Sequence, residues 1–175
     1  MGRAVTKRKA ASHFLEETRM KPNNVTRMLD AKGVPYTAYE LPKKKLGAVE
    51  TAEILGVPAE LVYKTIVVTR EGRGKPILAL VPGPGEVDLK ALAKALGEKK
   101  VTLPTQRKAE QLTGLQAGGI SPLALLNRGF QVVLDISAQN RSEIYISAGQ
   151  RGMNIRLPTS ALISLTQASL AEISR

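Results

Sequence analysis

The chain has 175 residues, 43% of them hydrophobic, which is enough for one domain with a real core. It has no cysteine and a single histidine, His13, so neither a disulfide framework, a cysteine nucleophile nor a structural zinc site is expected. A net charge of +11 points to a polyanionic partner, nucleic acid first, while aromatics at 3% argue against single-strand binding by base stacking.

Residues 1–21 read as a basic arm, with Lys7, Arg8 and Lys9 clustered ahead of Phe14 and Leu15. There is no secretory-type apolar region and no stretch of membrane-spanning length, so a cytoplasmic protein without a membrane partner is expected. The domain proper is expected over residues 22–175. Asn23 or Asn24 caps a first helix with Val25, Met28 and Leu29 on one face, and Gly33 and Pro35 follow its end. "YTAYEL" alternates as a strand, with Thr37, Tyr39 and Leu41 on one side. A basic loop, "LPKKKLG", leads into a short helix, "AVETAEILGV".

"LVYKTIVVTR" and "PILALVPG" form a hairpin around a glycine-bearing loop. "EVDLKALAKALG" is the clearest helix, capped by Asp88, striped by Leu89, Leu92 and Leu96, and stopped by Gly97. Another helix follows Thr105 and stops at Gly114. "LQAGGISPLAL" breaks every period and must be a shaped loop. "FQVVLDIS", "EIYISAG" and "MNIRL" are strands, the last two joined by the tight turn "GQRG", and Thr159 opens a C-terminal helical run over "SALISLTQASLAEI". Helices alternating irregularly with hairpins predict a mixed α/β (α+β) single domain, one strongly twisted mixed sheet with helices around it, not a doubly wound parallel sheet.

Three places carry polar or glycine chemistry where strands meet loops. Lys64 stands in the aliphatic strand "VYKTIVV", on the face of Val62, Ile66 and Val68. Lysine resists burial without a partner, so it either snorkels to water or lines a cleft and holds an anionic ligand. Gly118-Gly119-Ile120-Ser121-Pro122 lets backbone groups approach a ligand, or is simply a tight turn. Tyr145 to Gly149 ends a strand with a serine and a glycine. With neither GxGxxG nor a Walker pattern, a dinucleotide or phosphate loop is not expected.

Taken in order, "VYKTIVV", "DLKALAKALG", "KKV", "TGLQAGGISPL", Leu134-Asp135 and "IYISAGQRGMNIRL" resemble the YbaK/EbsC family of aminoacyl-tRNA deacylases, relatives of the editing insertion of bacterial prolyl-tRNA synthetases. The resemblance runs from about Pro22 to the C-terminus. It implies a twisted, barrel-like sheet, hydrolysis of mischarged tRNA, and no cofactor or metal. It implies that Lys64 is the essential lysine and that Gly118, Gly119, Ile120, Ser121 and Pro122 form the loop holding the aminoacyl group. Tyr39, Asp135, Ser147 and Gly149 are the further substrate-binding residues it implies. Ala124 departs from the glycine that family members often carry there.

The resemblance decides the reading of Lys64 in favour of the cleft. The lysine can pair with a phosphate, polarise the ester or, once deprotonated, serve as a base; orientation and electrostatic stabilisation is favoured, because no partner base completes a relay. In the cysteine-clearing branch the substrate's own thiol attacks its ester, which suits a chain without protein nucleophiles. The expected activity is trans-editing of Cys-tRNA(Pro) or Cys-tRNA(Cys). The alternatives are an Ala-tRNA(Pro) deacylase, or a non-catalytic tRNA-binding module associated with a synthetase. The expected partners are tRNA and a prolyl-tRNA synthetase.

Overall fold

The computed structural model describes residues 21–175. The basic cluster Lys7–Lys9, the Phe14-Leu15 spot and His13 lie outside the described residues. Among those described, five α-helices and eight strands alternate along the chain. The helices are α1 (Asn24–Ala31), α2 (Ala48–Leu55), α3 (Leu89–Leu96), α4 (Gln106–Thr113) and α5 (Thr159–Thr166). The strands are β1 (Thr37–Glu40), β2 (Tyr63–Arg70), β3 (Ile77–Pro82), β4 (Val101–Thr102), β5 (Gln131–Asp135), β6 (Glu143–Ser147), β7 (Met153–Pro158) and β8 (Ser169–Ala171).

The helix ends follow from local chemistry. Asn23, Asp88 and Thr105 each accept a backbone N–H at their helix starts, satisfying donors that have no partner within the helix. Gly56, Gly97 and Gly114 end α2, α3 and α4 in the left-handed conformation, which glycine adopts without a Cβ penalty.

The strands form two sheets, not the single sheet expected. One is antiparallel with order β1-β7-β6; the other is mixed, with order β4-β2-β3-β5-β8. In the mixed sheet β2 pairs antiparallel with β3 and β4, and β5 pairs parallel with β3 and β8. A single parallel bridge, Val62 to Tyr145, ties the sheets together without closing a barrel. The separation has a physical cause: each sheet has two faces to bury, and the sequence provides three apolar sets to cover them. The main core lies between the sheets and joins Tyr63, Val67, Leu78, Leu80 and Leu134 to Ile144, Ile146, Ile155 and Leu157. A second set, with Val68, Ile77, Ala79 and Val133, packs under Leu92 of α3 on the far face of the mixed sheet. A third places Tyr39, Val62 and Tyr145 against Ala52 of α2.

The C-terminal run also departs from expectation. The helix stops at Thr166 because Gln167 turns left-handed, with φ 57°, and Ser169–Ala171 then add to the edge of β5. Beyond Gln167 the apolar residues serve opposite faces: Leu170 packs on the main core, Ala171 and Ile173 on the second. That is strand behaviour, since a helical stripe would serve one core.

Candidate active site

An open cleft of about 370 Å³ runs along β2, and Val62 to Val67 form its floor. It exists because, between the Val62–Tyr145 bridge and Thr69, β2 is paired on only one side. The bond from Gly83 N–H to the Val62 carbonyl and the β2–β3 register direct the backbone groups of residues 62, 64 and 66 toward β3. Those of Thr65 and Val67 therefore face the other edge. On that edge β4 pairs only with Thr69 and Arg70. Continuing its register would bring Pro104 opposite Val67, and proline has no N–H to give. The chain leaves the sheet there and the edge stays uncovered.

Lys64 lies half-buried in this cleft, and its Nζ donates to the Gly83 carbonyl at 3.1 Å. Gly83 fits close under its neighbours: a Cβ there would stand 2.8 Å from the Ala59 carbonyl. Among the described residues no ion pair includes Lys64, and none of their carboxylates or histidines lines the cleft. The ammonium thus keeps donors for a ligand and has no counter-ion among the described residues. In the same cleft, Thr65 Oγ1 and Asn154 Oδ1 are buried without a hydrogen-bond partner. Orphaned buried polar atoms are costly; of the five among the described residues these two share one cleft, while those of Arg141, Arg156 and Thr159 lie elsewhere.

The glycine loop forms one wall. Gly118, with φ +92°, and Ile120 line the cleft together with Ser147 at the end of β6. Gly119, Ser121, Pro122 and Gly149 stand behind the wall and shape it. A Cβ on Gly119 would lie 2.7–2.8 Å from backbone atoms of Gln150 and Arg151, so the loop seats on that turn only as glycine. Ser121 is fully buried and its Oγ accepts from Leu123 N–H, starting a 3-10 turn over Pro122–Leu125. Arg151 donates to the Ala117 carbonyl at 2.7 Å, and Glu110 accepts from Ala117 N–H at 2.7 Å, locking the loop from both sides. Ala124 lies against Gly149.

Besides Gly119, Ser121, Pro122 and Gly149, two more residues implied as substrate-binding, Tyr39 and Asp135, do not line the cleft. Tyr39 is buried against α2 with its ring tilted on Tyr145. Burial pushes its hydroxyl up to about 12, against the pull of Arg156. It stands across from Asn154 in the β1–β7 register, behind a residue that lines the cleft. Asp135 is 2% exposed and accepts backbone N–H from Ser137, Ile173 and Ser174 at 3.0–3.1 Å. Burial would raise its pKa, but these hydrogen bonds hold the carboxyl below its ordinary value. Its visible work is to hold the chain after β8.

Lys45 of the basic loop lines the cleft, as do Thr65, Asn154, Gln106 and Leu103, which the sequence does not mark as site residues. Thr65 follows Lys64 on β2, so its place on the strand is legible, but its side chain leaves on the opposite face and only the structure shows both lining one cleft. The role of Asn154 is not legible, because a polar residue between Met153 and Ile155 reads as an ordinary outward strand position.

A model of the aminoacyl-tRNA editing domain matches residues 43–165, which contain the whole cleft. The chain belongs to the aminoacyl-tRNA editing domain family. Within the family it is 40% identical over 153 residues to EbsC of Enterococcus faecalis, named for Cys-tRNA(Pro)/Cys-tRNA(Cys) deacylation, covering 86% of this chain and 92% of that one. It is 32% identical over 114 residues to a proline–tRNA ligase of Trichlorobacter lovleyi, covering 65% of this chain but 19% of the ligase. The fold matches the crystal structure of the hypothetical protein APE2540 with a TM-score of 0.79 at 24% identity, over 87% of this chain and all of that one. It also matches a structure named as a trans-editing enzyme for prolyl tRNA synthetase, with a TM-score of 0.72 at 22% identity over the full chain and 99% of the other. At those identities the structural likeness speaks for the mixed α/β editing fold alone. No helix among the described residues is long and apolar enough to cross a membrane.

Proposed function

We propose that the chain is a free-standing editing deacylase that clears cysteine from tRNA(Pro), and also from tRNA(Cys). The observation that carries this reading is the half-buried Lys64 ammonium, in no ion pair among the described residues, in a cleft that no carboxylate or histidine of those residues lines. Such a site suits a substrate that brings its own nucleophile. The cysteine sulfur attacks the ester carbonyl, a carbon–sulfur bond forms, the ester carbon–oxygen bond breaks, and the thiol proton goes to the departing ribose oxygen. Water then opens the thiolactone. Lys64 stabilises the negative charge that builds on the carbonyl oxygen, a task for a positioned cation in a partly dry site. Gly118, Ile120 and Ser147 shape the wall against the aminoacyl group.

Residues 1–21 and Lys43–Lys45 contribute to binding the tRNA through its phosphates, and residues 22–175 form the catalytic domain. A prolyl-tRNA synthetase is the partner that would hand over the mischarged tRNA.

The test is a deacylation panel with Cys-, Ala-, Ser- and Pro-tRNA(Pro), on wild type and Lys64→Ala. Rapid clearance of the cysteinyl ester alone, lost in the variant, is the expected result. Clearance of alanine instead of cysteine supports the water-attack alternative, and binding without turnover supports a non-catalytic module.

A further inference from the structure

The cleft mouth holds an apolar step that the reaction itself does not use. Four large hydrophobic side chains among the described residues are exposed: Val49, Ile54, Leu103 and Ile136. Leu103 is the most exposed of them, at 54%, and it alone of the four lines the cleft. Pro104 beside it lines the cleft as well. Single exposed leucines are ordinary, but this one continues an apolar wall outward from the site. The reason it stands there is the break in β4 pairing at Pro104, which turns the chain away from β2 and into the cap of α4.

The basic loop closes in on the same segment. Lys45 Nζ donates to Gln106 Oε1 at 2.8 Å, and both residues line the cleft. One rim therefore carries an aliphatic step, an amide and a cation. No exposed aromatic ring competes for this place among the described residues. Tyr36, Tyr39, Tyr63 and Tyr145 are buried, Phe130 packs against the core, and the Tyr63 hydroxyl is paired with Ser137 Oγ.

We infer that Leu103 and Pro104 are the seat of the terminal purine nucleoside of the substrate, with Lys45 beside its 5′-phosphate. The inference rests on the deacylase reading, because an ester held at Lys64 leaves its ribose at the mouth. The base attached to that ribose needs a flat apolar contact, and the phosphate needs a cation. The rim provides both on adjoining elements. An aliphatic platform binds the face of a base by burial, without the stacking an aromatic ring would add.

The test is a binding cycle on the whole chain, independent of turnover. Two non-hydrolysable ligands are compared: cysteine joined by an amide to the 3′ position of adenosine 5′-monophosphate, and the same compound with the base removed. Wild type should prefer the compound with the base by about tenfold. In Leu103→Asp that preference should vanish, and in Leu103→Phe it should persist or grow. Leu103 is exposed, so these variants are expected to fold, and a thermal melt checks it. A preference for the base that survives Leu103→Asp overturns the inference, as does a wild type without any preference. If the base preference behaves as described but no charged tRNA is hydrolysed, the deacylase reading fails and the nucleoside seat stands.

Discussion

Lys64 and Asp135 are both charged residues on strands of one sheet, and their surroundings are opposite. The Asp135 carboxylate is fully enclosed and takes three backbone N–H groups. The Lys64 ammonium meets a single carbonyl and has unpartnered Thr65 and Asn154 oxygens in its cleft. Both depart from the apolar pattern of their strands, so sequence alone marks them as equals. Their partners separate them. A charge whose hydrogen bonds are complete within the chain stabilises the fold, whereas one left incomplete beside other incomplete groups is arranged for a ligand.

This contrast can be broken by experiment. Lys64→Ala should lower the single-turnover deacylation rate by about a hundredfold or more while the melting temperature hardly moves. Wild-type turnover in that variant would remove Lys64 from the chemistry. Gly119→Ala should destabilise by about 1–3 kcal/mol and reduce activity with it, because the new methyl meets backbone atoms that cannot step aside. Chemical denaturation reads this, and an unchanged midpoint would show that the loop does not seat on the Gln150–Arg151 turn.

Asp135→Asn should behave in the opposite way to Lys64→Ala, costing about 2 kcal/mol of stability at neutral pH with little effect on rate per folded molecule. The sign with pH follows from its lowered carboxyl. The folded state binds the proton more weakly than the unfolded state. The stabilisation is therefore complete above the unfolded value of about 4 and is lost as pH falls through the folded one. Denaturation of wild type and variant should converge in that acid range; a constant gap would refute the assignment.

Thr65→Val sharpens the comparison further. Removing a hydroxyl that has no partner should leave stability equal or slightly higher, and slow deacylation about tenfold if that hydroxyl meets the substrate. A stability loss without a rate effect would return Thr65 to the scaffold. The smallest effect is expected from deleting residues 1–20. Binding of tRNA should weaken, with the chemical step unchanged. The salt dependence should flatten by just under one unit for each phosphate that the shortened chain leaves unneutralised. An unaltered slope would show that the arm does not touch the tRNA.

The sequence by itself determined the elements with local causes. Capping residues at Asn23, Asp88 and Thr105, stop glycines at 56, 97 and 114, and the hairpin of β2 with β3 are all present. It also marked Lys64 and the glycine loop, since an ammonium in an aliphatic strand and a glycine pair in a break of periodicity are local anomalies. Tertiary structure decided what depends on distant partners. It divided the strands into two sheets and turned the last residues into β8, because the edge of β5 was there to receive them. It sent Tyr39 and Asp135 to supporting places and brought Thr65, Asn154 and Leu103 to the cleft. Strand pairing leaves one edge open and closes another, and that choice is made by residues far apart in the chain, such as Val67 and Pro104, that no short window of sequence contains.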